Sequence, residues 1–173
     1  MNTAVLDRPA TASATVAAQQ ATEPAQYLTF MLGGEAFAIG ILTIKEIIEY
    51  GQLTEVPMMP ACMRGVINLR GAVVPVMDLQ ARFGRPSADV TKRTCIVIAE
   101  VGAPGERQVI GVVVDAVNEV LDILASDIEP PPAFGTRIRT EFILGMGKVR
   151  GKFVILLDVN TTFSLDEVQA LSL

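Results

Sequence analysis

The sequence predicts an all-β protein made of two small β-barrels related by internal duplication. Three observations carry this. Short Val- and Ile-rich runs are separated by Gly/Pro turns, helix signals are sparse, and one set of motifs occurs twice in the same order. The clearest duplicated segment is Arg70-Gly-Ala-Val-Val-Pro-Val-Met-Asp78 against Arg150-Gly-Lys-Phe-Val-Ile-Leu-Leu-Asp158. The Arg-Gly pair, the fifth-position Val and the ninth-position Asp all match at an offset of 80, from 70 to 150. Upstream, Ile39-Gly-Ile41 matches Ile110-Gly-Val112, and Ile44-Lys-Glu-Ile47 matches Val117-Asn-Glu-Val120. The order is kept while the offset grows, as insertions would produce. Each repeat spans roughly 70 residues, which suits a barrel with a thin core that gains from packing on its twin.

Along the chain, residues 1–24 are rich in Ala, Thr, Gln and Pro without periodicity and are expected to form a disordered tail. Order should begin near Gln26. Tyr27 to Leu32 reads as a strand with Leu28, Phe30 and Leu32 on one face, Gly33-Gly34 as a hairpin turn, and Glu35 to Ile41 as the return strand. Ile41 to Ile48 is ambiguous between helix and strand. Pro75 interrupts a strand pattern and calls for an edge or a bulge. Asp78 to Phe83 reads as a short helix. Cys95 to Val101 and Gln108 to Val114 form a second hairpin around Ala103-Pro-Gly-Glu106. Ser164-Leu-Asp-Glu167 is a capping box that should open a short terminal helix.

Composition narrows the function. The 173 residues include 14 Lys and Arg against 19 Asp and Glu, a net charge of −5. With a pI near 4.8, nucleic-acid binding is disfavoured and there is room only for a local basic patch. No apolar run reaches membrane-spanning length, and the N-terminus lacks the order of a secretory signal, so a cytoplasmic protein without membrane insertion is expected. There is no histidine. That removes the usual general base of hydrolases, most metal sites and any autophosphorylated histidine. Cys62 and Cys95 form no C-x-x-C pair and read as small buried hydrophobes. No cofactor, metal site or catalytic residue is expected.

Asp78, Asp115 and Asp158 each follow an apolar run, as a catalytic Asp often does. Two of them are repeat-related, which favours capping of the following turn or helix. A small hydrolase or ligand-binding enzyme built on these aspartates is the competing reading. Gly145-Met-Gly147 and Gly33-Gly34 match no phosphate-binding pattern, and Pro130-Pro-Pro132 reads as a stiff linker. Arg70 stands alone between apolar strands. It is either an exposed turn residue or the partner of an anion, for which Glu46 is the candidate.

The segment from Gly65 to Leu79 resembles the signature of CheW-like domains, and the similarity runs from about Tyr27 to Phe163. Supporting pieces are Phe37-Ala-Ile-Gly-Ile41, Ile44-Lys-Glu-Ile47, Val56-Pro57 with Pro60 and Gly65, Phe142-Ile-Leu-Gly145, and Leu156-Leu-Asp158. The resemblance implies two intertwined SH3-like five-stranded barrels with short peripheral helices. It implies an adaptor, not an enzyme, that joins the cytoplasmic helical tip of a chemoreceptor to the regulatory domain of the histidine kinase CheA, in arrays at the membrane. A related adaptor of another kinase circuit, such as surface motility, is the alternative. The implied receptor-contacting residues are Ile44, Glu46, Gly65 and Arg70, with Glu46 and Arg70 paired at the edge of a groove between the barrels. Family members often carry an acid where this chain has Gly40; kinase-contacting residues are not assigned. The expected organisation is a tail over 1–24, a CheW-like domain over 25–163 and a short helix over 164–173. Within that domain the barrels fall at approximately 25–93 and 94–163, with strand exchange between them as the variant that intertwining would require.

Overall fold

The computed structural model describes residues 24–51, 53–86, 89–131 and 140–164. The expected tail, apart from Pro24, and the expected C-terminal helix beyond Ser164 lie outside them. The strands are β1 (Ala25–Leu32), β2 (Glu35–Gly40), β3 (Ile44–Glu49), β4 (Met63–Leu69), β5 (Ala72–Asp78), β6 (Cys95–Val101), β7 (Gln108–Val114), β8 (Ala116–Ile123), β9 (Ile128–Glu129), β10 (Ile143–Val149) and β11 (Lys152–Leu157). Two one-turn helices follow β5 and β11: α1 (Leu79–Arg82) and α2 (Val159–Thr162). The ambiguous stretch resolves into a 3-10 turn at Ile41–Thr43 followed by β3. Among the described residues no helix is long and apolar enough to cross a membrane.

Local chemistry explains the turns. Gly33 and Gly34 have φ of +56° and +82°, the double left-handed geometry that lets a two-residue turn follow strand twist. The β4–β5 and β10–β11 turns use the same geometry with an Arg at the first position: φ is +52° at both Arg70 and Arg150. Gly71 and Gly151 follow at +87° and +78°. Two non-glycine residues in one unusual conformation, 80 positions apart, are the duplication written in the backbone.

The strands form two sheets, ordered β8-β1-β2-β11-β10-β9 and β3-β6-β7-β5-β4. Each is an SH3-like barrel of five principal strands, and the two are topologically equivalent. In both, an antiparallel hairpin (β1–β2 or β6–β7) joins a second hairpin (β10–β11 or β4–β5) through one parallel contact, β2 with β11 or β7 with β5. The hairpins are exchanged. The N-terminal β1–β2 unit sits among strands of the second repeat, and β6–β7 sits among strands of the first. Neither sheet therefore coincides with residues 25–93 or 94–163. The short β9 returns from β8 to pair with β10. Its counterpart in the other barrel is the single bridge between Thr54 and Val66. Pro75 lies opposite Val66, one residue before β5 begins to pair with β7, so its missing N–H falls where the strand has one partner only.

Exchange welds the two barrels. One large core draws Leu28, Phe30, Phe37 and Ile39 from one sheet and Met77, Val97, Ile110 and Val112 from the other. Each barrel keeps a small core of its own, around Ala38, Ile123 and Leu156 in one and Val76, Ile96 and Ile98 in the other. The rings of Phe30, Phe37, Phe83 and Phe142 run in series through the shared core, with centroids 5.7–6.1 Å apart. The buried Arg82 crosses the join: its Nε donates to the Thr162 carbonyl at 2.9 Å and its Nη2 to the Thr161 carbonyl at 3.2 Å. It thereby satisfies carbonyls at the end of α2 from the end of α1.

The cysteines differ from the expectation for one of the two. Cys62 is buried, and burial pushes its thiol pKa up, with the Arg82 guanidinium pulling the other way. Cys95 begins β6, an inner strand of its sheet, and is partly exposed. Brief iodoacetamide treatment near neutral pH should therefore label Cys95 first. Peptide mapping that finds Cys62 labelled at an equal or faster rate would contradict this.

Candidate functional site: the seam between β3 and β4

In the second sheet β3 and β4 are the two outer strands, and curling brings them to face each other. Arg70, at the β4–β5 turn, reaches across to Glu46 on β3, with Nη2 2.8 Å from Oε2. The Arg70 side chain is 76% exposed and that of Glu46 25%. A pair so exposed contributes at most about 1 kcal/mol to stability. Its effect is to fix the shape and charge at the mouth of the seam. Asn68 stabilises the turn below, its Oδ1 accepting from the Gly71 amide at 2.8 Å.

The four family-implied residues occupy different depths. Ile44 starts β3 and packs half-buried on the shared core. Glu46 follows a bulge that separates Ile44 and Glu46 in the pairing with β6; the extra residue re-aims the strand. Gly65 is buried on β4 with φ of +148°. A Cβ there would stand 2.4 Å from the Thr54 carbonyl oxygen. Its glycine lets the chain after β3 strap down on β4 through reciprocal Thr54–Val66 backbone bonds of 2.9 Å. Arg70 alone of the four stands fully at the surface.

Beside the pair, a cleft of about 420 Å³ runs between the two strands, lined by Ile48, Leu53, Val66, Ile67 and Asn68. Ile47 on the outer face of β3 is also exposed. The Arg70–Glu46 pair spans the two margins of one barrel, while the resemblance implies a groove between the barrels. A separate cleft there, lined by Leu42, Lys45, Glu100, Arg107 and Asn160, contains none of the four. Strand exchange is the reason, because it makes β3 and β4 the two margins of one barrel. Gly40 has open space around a Cβ position, so its lack of a side chain is not a packing requirement.

The ion pair is also not peculiar to the first repeat. Arg150 Nη1 lies 3.5 Å from Glu119 Oε1, the same turn reaching the same strand position of the other barrel. The aligned motifs carry the signal for this second pair, since Glu46 matches Glu119 and Arg70 matches Arg150.

The strand-end aspartates act on backbone. Asp78 caps α1 by accepting from the Gln80 and Ala81 amides, and Asp158 caps α2 from the Asn160 and Thr161 amides. Asp115 accepts from the Gly33 amide at 2.8 Å. Asp78 also holds Arg64, with Nε at 2.9 Å and Nη2 at 2.8 Å from the same carboxylate oxygen, a contact absent from the sequence-based expectations. Its side chain is only 3% exposed. Among the described residues no group of three Cys, Asp or Glu is placed to hold a metal ion.

The sequence profile of the CheW-like domain matches residues 26–167. The chain belongs to the CheW-like domain family. It is 34% identical over 143 residues to a chemotaxis protein CheW of Klebsiella aerogenes, covering 83% of this chain and 84% of that protein. It is 35% identical to a probable chemotaxis protein CheW of Rhizobium etli, covering 84% and 91%. The crystal structure of the scaffolding protein CheW from Thermoanaerobacter tengcongensis superposes with a TM-score of 0.74 at 34% identity, over 83% of this chain and 90% of that one. The CheW-like fold thus extends over all the elements described above, including both exchanged hairpins.

Proposed function

We propose that this CheW-like protein is a chemotaxis adaptor that bridges the helical cytoplasmic tip of a chemoreceptor and the regulatory domain of the histidine kinase CheA. The observation that carries the reading is coverage: similarity to proteins named for chemotaxis spans the whole two-barrel unit. The capping duties of Asp78 and Asp158 favour an adaptor over a hydrolase built on these groups. Two weak contacts made by one rigid body yield a larger combined affinity, because the second becomes intramolecular. Welding the barrels through a shared core supplies that rigidity.

The seam of β3 and β4 suits a receptor helix. The apolar part of its lining, Ile48, Leu53, Val66 and Ile67, takes one face of an amphipathic helix, and the Arg70–Glu46 pair fixes orientation at the rim. Arg70→Glu is expected to weaken binding of a soluble receptor cytoplasmic fragment by about tenfold, with little change in melting temperature. Glu46→Arg in the same chain should recover part of the loss. Calorimetric titration of the four members of this cycle tests the pair, and additive single effects would remove it as a binding element. Failure of the unaltered protein to bind either the receptor fragment or the kinase regulatory domain at about micromolar concentration would remove the adaptor reading itself.

A further inference from the structure

The twin hairpins coincide in backbone and diverge in chemistry. The β4–β5 tip carries Asn68, Arg70, Ala72 and Val73. The β10–β11 tip carries Lys148, Arg150, Lys152 and Phe153 at the corresponding positions. Lys148 is directly opposite Phe153 across the ladder, as Asn68 is opposite Val73. All four residues of the second tip are exposed, Phe153 by 51%, and Leu144 further along β10 by 58%. Arg150 is engaged by Glu119. Lys148 and Lys152 make no ion pair among the described residues. Three cations within five positions, in a chain of net charge −5, form a local reversal of sign around an exposed aromatic ring.

We propose that the outer face of the β10–β11 hairpin is a second docking site, separate from the Arg70 seam, and that its occupant is an acidic protein segment with apolar anchors. The cations select the sign of the partner, and Phe153 with Leu144 supplies the area that an apolar side chain must cover. A polyanion fits less well. A nucleic acid or an anionic membrane would meet a molecule that is acidic overall, with only these three charges to offset the repulsion. Divergence by duplication also gives the physical rationale. The backbone platform is inherited; Lys148 and Lys152 in place of Asn68 and Ala72 add two positive charges, and Phe153 in place of Val73 adds the ring.

The test uses the full chain, isotope-labelled, titrated with a synthetic peptide of alternating acidic and Leu residues. Control peptides replace Leu by Ser or the acids by Lys. The expected result is amide shifts centred on residues 144–153, affinity that falls with salt, and loss of binding to both control peptides. Lys148→Glu with Lys152→Glu should weaken binding about tenfold or more, and Phe153→Ala severalfold, while Arg70→Glu leaves it unchanged. Unchanged melting temperatures confirm that these surface variants fold. Shifts centred elsewhere, equal binding by the Ser peptide, or no effect of the charge reversals would overturn the proposal. So would tighter binding of phosphatidylserine vesicles or a single-stranded oligonucleotide than of the acidic peptide. Because Arg70→Glu tests the seam and the Lys variants test this hairpin, either site can fail without the other.

Discussion

Asp78→Ala is expected to destabilise the protein by about 3 kcal/mol, whereas the equivalent Asp158→Ala costs about 1 kcal/mol. Both changes remove a helix cap that accepts two amides. Only the first also removes the partner of Arg64, whose guanidinium bonds one buried carboxylate oxygen through two nitrogens. Breaking such a pair leaves a partly desolvated cation. Its cost falls at the low end of the range because the Arg64 side chain remains 22% exposed and because Tyr50 stays beside it, with its hydroxyl 3.3 Å from Nη1. For a chain of this size each kcal/mol moves the melting temperature by about 2–4 °C. The two variants should therefore be separable in a thermal melt, Asp78→Ala falling roughly 10 °C and Asp158→Ala about 3 °C. Equal shifts would mean that the Arg64 contact adds nothing. Asp78→Asn, which keeps an acceptor for the cap, should fall between them.

Gly65→Ala is expected to cost about 3 kcal/mol, concentrated at the seam itself. The added methyl would stand 2.4 Å from the Thr54 carbonyl oxygen, a backbone atom, on a residue whose φ of +148° already disfavours a side chain. The strap must lift, and the Thr54–Val66 bonds are lost with it. Gly145→Ala, the counterpart, should cost less. The nearest atom there is the Ile128 Cγ2 at 2.6 Å, a side-chain terminus able to give way, with Glu129 O next at 3.0 Å. Amide exchange at Val66 and thermal melts of both variants test this. Protection of Val66 that survives in Gly65→Ala would show that the strap does not depend on the glycine. If the seam binds receptor, this variant should also lose binding without touching a surface side chain, so a loss of function at Gly65 need not mean direct contact.

Several features were legible because they are local. The Gly33-Gly34 turn, the twin Arg-Gly turns and the caps at Asp78 and Asp158 each depend on residues within three positions of one another. Their short-range geometry leaves a residue-type signature. The buried alternation of Leu28, Phe30 and Leu32 is similarly readable from a single strand. The Arg70–Glu46 pair was proposed as one of two readings and is present at 2.8 Å. The Arg64–Asp78 contact was not foreseen, because Arg64 sits at a bulge between Met63 and Gly65 and alternation does not predict where a bulged side chain points. Cys95 is partly exposed because it is the first residue of its strand, a matter of position and not of residue type.

The sequence by itself determined the β class, the duplication, the turn and cap chemistry and the family. Tertiary structure alone decided which hairpin enters which barrel, and therefore that Glu46 and Arg70 face each other across one seam and Glu119 and Arg150 across another. The physical reason lies in what strand pairing recognises. Turns and caps are specified by particular atoms close in sequence, but an apolar strand face built from Val and Ile fits either of two near-equivalent half-barrels. The choice between them is made by contacts such as Arg82 with Thr162, 80 residues apart, which exist only once both halves are folded together.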